Sequence, residues 1–263
     1  MGVLNVTPDS FSDGGELPDA ITAVKRGVQM AHEGADILDV GGESTRPGSD
    51  EVPAPEEIRR TAPVIEVLSS ETDVPISIDT RKTEVARAAL AAGSTIVNDV
   101  SAGSDRDMFG VVRDAGAGMV LMHMQGEPKT MQDAPHYEDV VDEVKEFLRE
   151  RLEAAMFAGV ERDRLCVDPG IGFGKTLEHN LLLLHHVEAF LDLDVPVLVG
   201  PSRKRFLGAI LDIDDAADRV EATAGAAAWL AAQGAHVVRV HDVKEIVRVV
   251  RVVDAILRAG EHA

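Results

Sequence analysis

The stretch PISIDTRKTEVARAALAAGSTIVND at 75–99 contains the repeating unit of the fold. It begins with a short apolar run, continues with a helix-compatible segment that ends at Gly93, and returns to a second apolar run, TIVND. Runs rich in Val, Ile and Leu that are apolar at nearly every residue are typical of parallel strands buried on both faces. Glycine suits the left-handed residue that ends a helix. The stretch is therefore predicted to form a strand–helix–strand unit.

The same unit repeats along the whole chain. The apolar runs are GVLNV (2–6), DILDV (36–40), PISID (75–79), TIVND (95–99), GMVLMH (118–123), RLCVD (164–168), PVLVG (196–200) and HVVRV (236–240). Helical patterns lie between them, for example at 20–35, 83–93 and 138–159, and glycine precedes a strand at Gly34, Gly93, Gly159 and Gly234.

Eight strands that alternate with helices indicate parallel pairing through right-handed crossovers. Eight is also the number of strands that closes an α/β barrel of about 250 residues. We therefore predict a (β/α)8 TIM barrel that forms a single domain over residues 1–263. A doubly wound open sheet is the alternative. It normally has a glycine-rich phosphate turn after its first strand, where this chain has NVTPDSFSDGG at 5–15.

The composition excludes two classes of partner. The 263 residues include 46 Asp and Glu against 26 Lys and Arg, which gives a formal charge of −20. Such a charge would repel nucleic acid and anionic membranes, and no apolar run approaches the roughly 20 residues of a membrane span. The single cysteine, Cys166, fits a reducing cytoplasm. Because the basic residues are 19 Arg and 7 Lys, we also expect a salt-adapted protein, with an ordinary acidic protein as the alternative.

Polar residues stand where most of the predicted strands end. In order, these ends carry Asn5, Asp39 with Glu43 beyond it, Asp79, Asn98 with Asp99, His123, Asp168, Gly200 with Ser202, and His241. Side chains at the carboxyl ends of barrel strands point into the mouth, where such enzymes carry their chemistry. The pattern therefore predicts a functional site at the mouth.

Three of these side chains suit a heterocycle with adjacent N–H donors. Asp79, Asn98 and Asp168 offer acceptors at one level of the predicted pocket, and a guanidine-like edge could bind a carboxylate through two parallel bonds. For Asp79 a cap of the following helix is the alternative. Arg203, Lys204 and Arg239 lie in the loops that usually bind anions in this architecture, so with Arg46 we expect them to form a positive island. Surface salt bridges to nearby acids are the alternative.

Two loops have the composition of lids. The segments 5–15 and 41–55 are rich in Gly, Ser, Asp and Pro and contribute Phe11, Thr45, Arg46 and Pro47. In DPGIGFGKT at 168–176 the spacing is wrong for a nucleotide loop, so its glycines are expected to bring the backbone close to a flat ligand, with Phe173 beside it. No metal-ligand motif occurs, but Mg²⁺ that bridges a substrate phosphate could take Asn5 as one ligand.

Together these segments resemble the dihydropteroate synthase family. The resemblance covers nearly the whole chain and follows the order of the family's motifs. The segments are MGVLNVTPDSFSDGG, DVGGESTRPG, SIDTRK, IVNDVSAG, LMHMQGEPKTMQ, DPGIGFGKT, GPSRKRFLG and RVHDV. The resemblance implies that the protein converts 6-hydroxymethyl-7,8-dihydropterin diphosphate and p-aminobenzoate to 7,8-dihydropteroate and pyrophosphate, on the route to folate.

The resemblance also assigns roles to residues. Asp79, Asn98, Met122, Asp168, Phe173 and Lys204 would bind the pterin; Asn5, Arg46, Arg239 and His241 would bind the diphosphate, with Asn5 on Mg²⁺. The p-aminobenzoate site would comprise Phe11, Thr45, Arg46, Pro47, Phe173 and Ser202. Asn5, Asp79, Lys204, Arg239 and His241 would be the catalytic set.

Three further expectations come with the family. Its members are commonly dimeric, so we expect a homodimer. They usually carry a short segment before MGVLN that closes the bottom of the barrel; we expect that segment to be missing here, and a fused or partner domain upstream is possible. A pterin-binding methyltransferase and a non-catalytic pterin-binding relative are the alternative functions, and SRKRF and RVHDV count against the first.

Overall fold

The computed structural model describes residues 1–6, 16–44, 50–127 and 129–260, and for 16–19 the backbone alone. Strands and helices alternate as the sequence predicts. The strands are β1 (Gly2–Asn5), β2 (Leu38–Gly41), β3 (Ile76–Asp79), β4 (Ile96–Asp99), β5 (Gly118–Met122), β6 (Leu165–Asp168), β7 (Leu198–Val199) and β8 (Val237–Val238). The helices are α1 (Glu16–Glu33), α2 (Ala54–Glu71), α3 (Thr83–Ala91), α4 (Met108–Ala115), α5 (Val140–Phe157), α6 (Leu177–His185), α7 (Arg205–Leu211), α8 (Val220–Ala232) and α9 (Val243–Gly260).

The strands close into a ring. Strands β1 to β6 form one parallel sheet in chain order, and β7 pairs with β8. Single parallel bridges join the two parts, Val167 with Val197 and Gly2 with Val240. The backbone N–H of Val3 donates to the Val240 carbonyl at 2.9 Å across the second junction. Closure confirms the barrel and rules out the doubly wound sheet, which would leave two open edges.

The register of the strands brings the polar strand ends to one level. Asn5 lies opposite Gly41, Gly41 opposite Asp79, and Asp79 opposite Asn98. Between β4 and β5 the register shifts, because Asn98 lies opposite Val120 and not opposite Met122. Such stagger is what closure of a tilted barrel requires. The mouth is therefore a ring of side chains from strands far apart in sequence.

Two apolar layers support the ring. The larger core fills the space between the strands and the helices. A second cluster, which includes Met1, Val120 and Leu198, also contains Cys166 at its edge. Burial raises the pKa of the Cys166 thiol to about 12, as expected for the inert cysteine that its place in an apolar run suggests.

The predicted helix-ending glycines adopt the left-handed conformation. Their φ angles are +102° at Gly34, +112° at Gly93, +93° at Gly159 and +89° at Gly234. At Gly93 a side chain would also meet the Ser69 hydroxyl at 2.8 Å, so glycine is needed there for space as well as for φ. Among the described residues no helix has the length and apolarity needed to cross a bilayer.

Candidate active site

A buried ion-pair network stands at the centre of the barrel mouth. The guanidinium of Arg239 donates from Nε to Asp39 Oδ2 at 2.6 Å and from Nη2 to Asp79 Oδ2 at 2.7 Å. Asn98 Nδ2 donates to the same oxygen of Asp39 at 3.0 Å. Since these residues come from β2, β3, β4 and the end of β8, closure of the ring is what brings them together.

The network carries more negative than positive charge. Asp39 is fully buried and Asp79 nearly so, and both face one guanidinium. Burial raises the pKa of Asp79 to about 7; Arg239 opposes that rise and Asp39 reinforces it. The Oδ1 atoms of both aspartates have no hydrogen-bond partner among the described residues. Unpaired buried acceptors are costly, and a ligand with N–H donors would satisfy them.

Asp168 and Lys204 form a second charged wall. Asp168 Oδ1 accepts the Gly170 N–H at 2.7 Å, and burial raises the pKa of this carboxyl while Lys204 opposes the rise. Burial lowers the pKa of Lys204 to about 8. The Lys204 ammonium donates to the Ile171 carbonyl and lies 4.4 Å from the centroid of the Phe173 ring. A carboxylate, a cation and an aromatic face thus lie close together.

The glycines of 168–176 bring the loop against the protein's own chain. A Cβ at Gly170 would lie 1.8 Å from the His123 carbonyl oxygen, and a Cβ at Gly172 would lie 2.8 Å from Lys204 Cδ. Both residues have positive φ angles, +69° and +83°. These glycines therefore pack the loop against the chain itself, and their expected approach to a ligand stays a prediction.

Four further predicted residues, Ser202, His241, Asn5 and Met122, also lie at the mouth. Ser202 Oγ lies 3.0 Å from His241 Nδ1 and accepts the His241 N–H at 3.2 Å. Gly41 lies between Asn5 and Asp79, because a Cβ on it would be 3.7 Å from Asn5 Oδ1 and 3.6 Å from Asp79 Cβ. Buried Met122 lies opposite Asp168 in the strand register.

Comparisons with known proteins identify the family. A family model described as "Pterin binding enzyme" matches residues 1–241. Dihydropteroate synthase of Escherichia coli K12 is 46% identical over 262 residues, which cover 100% of this chain and 93% of the relative. The chain belongs to the dihydropteroate synthase family.

Solved structures of the family share the fold. Dihydropteroate synthase of Xanthomonas albilineans with 4-aminobenzoic acid is 48% identical, with a TM-score of 0.93 over 98% of this chain and 92% of that one. A structure of the same enzyme in complex with 7,8-dihydropteroate is 45% identical, with a TM-score of 0.89 over 98% of this chain and 92% of that one. A probable bifunctional folylpolyglutamate synthase/dihydropteroate synthase of Haloferax volcanii is 46% identical, covering 96% of this chain and 30% of that protein.

Some predicted residues of the dihydropteroate synthase site lie outside the described ranges. These are Phe11 in the first long loop and Thr45, Arg46 and Pro47 in the second. The other predicted site residues, from Asn5 to His241, lie at or next to the mouth. Their roles toward substrate stay predictions.

The expected positive island is wrong for the residues that the structure describes. Arg203 forms a two-point ion pair with Asp242, through Nε at 3.0 Å and through Nη2. Arg239 is engaged by two carboxylates, and burial lowers the pKa of Lys204. Arg203 and Arg239 are thus paired with acids, and the ammonium of Lys204 is bonded to a backbone carbonyl. The sequence does not show this pairing, because Asp39 and Asp79 lie far from Arg239 along the chain.

Two polar strand ends do not face the mouth. Asp99 accepts hydrogen bonds from Ser101 N–H and Oγ and from Gly103 N–H, all at 2.7 Å, so it shapes the turn after β4. His123 packs edge-on against Phe147 of α5, with ring centroids 4.9 Å apart. Strand-end position alone does not distinguish these residues from those that face the mouth.

Two residues of the site region carried no predicted role. Asp39 was expected at the mouth without a role, and its position at the end of DILDV, like that of Asp79 at the end of PISID, is the signal that could have given it one. Lys175, in DPGIGFGKT, is buried and hydrogen-bonded to His123. Nothing in its sequence position indicates burial.

The raised pKa of Asp79 predicts a pH dependence of stability. The pKa of its carboxyl is about 7 in the folded protein against an ordinary 3.8, so the folded state holds this proton more tightly than the unfolded state. The stability that this carboxyl contributes is fully present below its unfolded-state pKa of 3.8. It is lost as the pH rises through its folded-state pKa of about 7. We expect the free energy of unfolding of wild type, relative to Asp79→Asn, to fall by at most about 1.4 kcal/mol per pH unit in that window.

Urea denaturation at a series of pH values measures this difference. Asp192→Asn is the control, because Lys145 lowers the pKa of the exposed Asp192 and the sign should reverse. Parallel stability curves for wild type and Asp79→Asn would contradict the assignment.

Proposed function

We propose that the described mouth binds and activates the substrates of dihydropteroate synthase. In that reaction the pterin-methyl group of 6-hydroxymethyl-7,8-dihydropterin diphosphate is transferred to the amine of p-aminobenzoate, giving 7,8-dihydropteroate and pyrophosphate. The observation that carries the activity is full-length similarity to dihydropteroate synthases, 46% identical over 100% of this chain for the Escherichia coli protein. The roles of individual residues rest on the geometry of the mouth.

The pterin would bind among the acceptors of the mouth. The unpaired Oδ1 atoms of Asp39 and Asp79 and the carboxylate of Asp168 can accept the N–H groups of the pterin's guanidine-like edge. Lys204 would donate to the ring carbonyl, and the Phe173 ring and Met122 would pack on its faces. A neutral, flat heterocycle rich in donors fits a site whose carboxylates outnumber its cations.

The diphosphate would bind on the side of β8. Arg239 uses Nε and Nη2 on its two aspartates, while its Nη1 bonds no residue in the described ranges and can donate to phosphate oxygens. Asn5 and His241 lie beside this group, and Arg46 is proposed to contribute from the second loop. The carboxylates that hold Arg239 also fix its orientation before substrate arrives.

These residues account for the reaction without a nucleophile supplied by the protein. As diphosphate leaves, the C–O bond breaks and the pterin methylene gains positive charge, which Asp79 and Asp168 stabilise electrostatically. The amine of p-aminobenzoate then forms the C–N bond and loses one proton. We propose that this substrate lies between Phe173 and Ser202 and the loop residues Phe11, Thr45, Arg46 and Pro47.

Magnesium fits this site only together with the substrate. The described residues contain no group of three or more His, Cys, Asp or Glu that could hold an ion. The carboxamide of Asn5 makes no hydrogen bond to a described residue and could supply one oxygen, with diphosphate oxygens supplying others. When bound, Mg²⁺ would neutralise the leaving diphosphate.

The first test omits one substrate at a time. We expect pyrophosphate release only when pterin diphosphate and p-aminobenzoate are both present. Release without p-aminobenzoate would contradict the synthase. Binding of pterin diphosphate without release would favour the non-catalytic relative, and methyl transfer to a corrinoid would favour the methyltransferase.

The pterin pocket is tested by Asp168→Asn. Loss of a charged acceptor costs about 1.5–3 kcal/mol, which is on the order of a tenfold to hundredfold rise in Kd for the pterin diphosphate. Calorimetric titration measures it, with the exposed Asp192→Asn as the matched control. An unchanged Kd would remove Asp168 from the pocket.

We also propose that the protein is adapted to salt. The net charge is −20, and the outer surface of α5 alone exposes Asp142, Glu143, Glu146, Glu150 and Glu153. Repulsion among such groups weakens as salt screens it. We expect the melting temperature and the rate of pyrophosphate release to rise from dilute buffer to molar KCl.

The salt test has a charge-reversed control. The double variant Glu150→Lys/Glu153→Lys should depend less on KCl than wild type does. A wild-type enzyme that is most stable and most active in dilute buffer would contradict salt adaptation and leave the activity untouched.

A homodimer is proposed through one apolar face. Neighbouring helices α6, α7 and α8 expose Leu181, Ile210, Leu211 and Trp229 to solvent. Burial of such side chains against a second copy would stabilise a dimer. A cytoplasmic location and a fused or partner domain upstream stay predictions.

We expect Ile210→Glu to shift the protein from dimer to monomer in sedimentation equilibrium. Ile256→Glu on α9, where the side chain is also exposed, should leave the dimer intact. A wild-type monomer, or dissociation caused by the α9 variant alone, would contradict this face.

A further inference from the structure

Lys175 places a buried amine behind the pterin side of the mouth. Its side chain is 3% exposed, and Nζ lies 2.9 Å from His123 Nδ1 and 3.0 Å from the Phe173 carbonyl oxygen. The His123 carbonyl oxygen is farther away, at 3.5 Å. Within the described residues no carboxylate lies within hydrogen-bonding distance of this amine. The lysine therefore has uncharged partners in place of a counter-ion.

The contact is an amine–imidazole hydrogen bond. Burial lowers the pKa of Lys175 well below its ordinary value, with Asp168 opposing that effect and Lys204 adding to it. Burial also lowers the pKa of His123 to about 3, so its ring is neutral. A lysine that donates to Nδ1 requires the ring proton to be on Nε2.

The loop 168–176 has two faces with different tasks. Toward the mouth it presents the Asp168 carboxylate, the Ile171 carbonyl that accepts from Lys204, and the Phe173 ring beneath that lysine. These are the groups proposed to contact the pterin. Their positions depend on how the opposite face of the loop is held.

The opposite face is held by the segment after β5. Gln132 Nε2 donates to the Gly172 carbonyl at 2.8 Å, and the Tyr137 hydroxyl donates to the Gly174 carbonyl at 2.9 Å. The Phe173 carbonyl lies between those two carbonyls along the chain, and Lys175 donates to it. Lys175 also contacts His123, which follows β5, and so links the Phe173 carbonyl to the end of that strand. It is the most deeply buried of these three donors.

Stability alone does not account for a lysine here. Burying an amine without a counter-ion costs free energy that its hydrogen bonds only partly offset. Methionine has similar length and would fill the same space without that cost. What methionine cannot do is hold the Phe173 carbonyl and the His123 ring at the same time.

We propose that Lys175 is a positioning residue for the pterin substrate, which ties the Phe173 carbonyl to His123 and so fixes the Phe173 ring and the Lys204 ammonium above it. The inference rests on the proposed function, since it concerns the substrate side of the same mouth. It assigns to the buried amine a role in binding, with no contact to substrate.

The experiment compares Lys175→Met with wild type, in an enzyme shown to release pyrophosphate only with both substrates. We expect Kd for pterin diphosphate to rise about tenfold, the size that one or two lost hydrogen bonds give. KM for p-aminobenzoate should rise less than Kd for pterin diphosphate does, because Phe173 is the one proposed p-aminobenzoate contact that belongs to this loop. The urea midpoint should be equal or higher, because the buried amine is gone. A merely structural lysine would lower the midpoint and affect both substrates alike.

The variant His123→Leu removes the imidazole partner of Lys175. It tests the same contact if Lys175→Met fails to fold. If the pair acts as a unit, the double variant should bind pterin diphosphate no more weakly than the worse single variant. Lys145→Met, which removes a lysine paired with Asp192 on α5, is the matched control and should bind normally.

Unchanged pterin affinity in both Lys175→Met and His123→Leu would overturn the positioning role, and so would additive losses in the double variant. Neither result would affect the proposed activity, which the substrate-omission assay tests separately in the wild-type enzyme.

Discussion

The ion pair of Arg239 with Asp39 and Asp79 is the interaction on which the mouth depends. Two carboxylates can be buried at adjacent strand ends only because a guanidinium that cannot lose its proton lies between them. The guanidinium in turn reaches them only because β8 closes on β1. Fold and site are therefore linked. Ring closure brings Arg239 to the mouth, and its charge offsets the free-energy cost of burying Asp39 and Asp79.

Much of this arrangement could be predicted from the chain. The ends of most apolar runs marked a place at the mouth, and Asp79, Asn98 and Asp168 lie there because a parallel register aligns strand ends. The pairing of Arg239 with Asp39 could not be predicted, since the two residues are 200 apart in sequence and meet only when the ring closes. For the same reason, the sequence gives no sign that Arg239 is paired with carboxylates.

The loop 168–176 shows a second limit. Its composition indicated a functional loop, and the loop does present Asp168 and Phe173 to the mouth. Composition did not indicate what its glycines are for, because close approach to a ligand and close approach to the chain itself need the same residue. The position of the His123 carbonyl oxygen, 1.8 Å from where a Cβ of Gly170 would lie, establishes close approach to the chain itself, and approach to a ligand stays a prediction.

The strands of the barrel are unequally connected. Six strands share continuous ladders, whereas β7 and β8 have two residues each and join the others through single bridges. Local opening costs least where backbone hydrogen bonds are few. The seam lies beside Ser202, Arg239 and His241, and Asp79 and Asn98 belong to the stiff part of the wall. On the proposed assignment of sites, the stiff part of the wall would hold the flat ring, and the more easily opened part would admit and release the charged diphosphate.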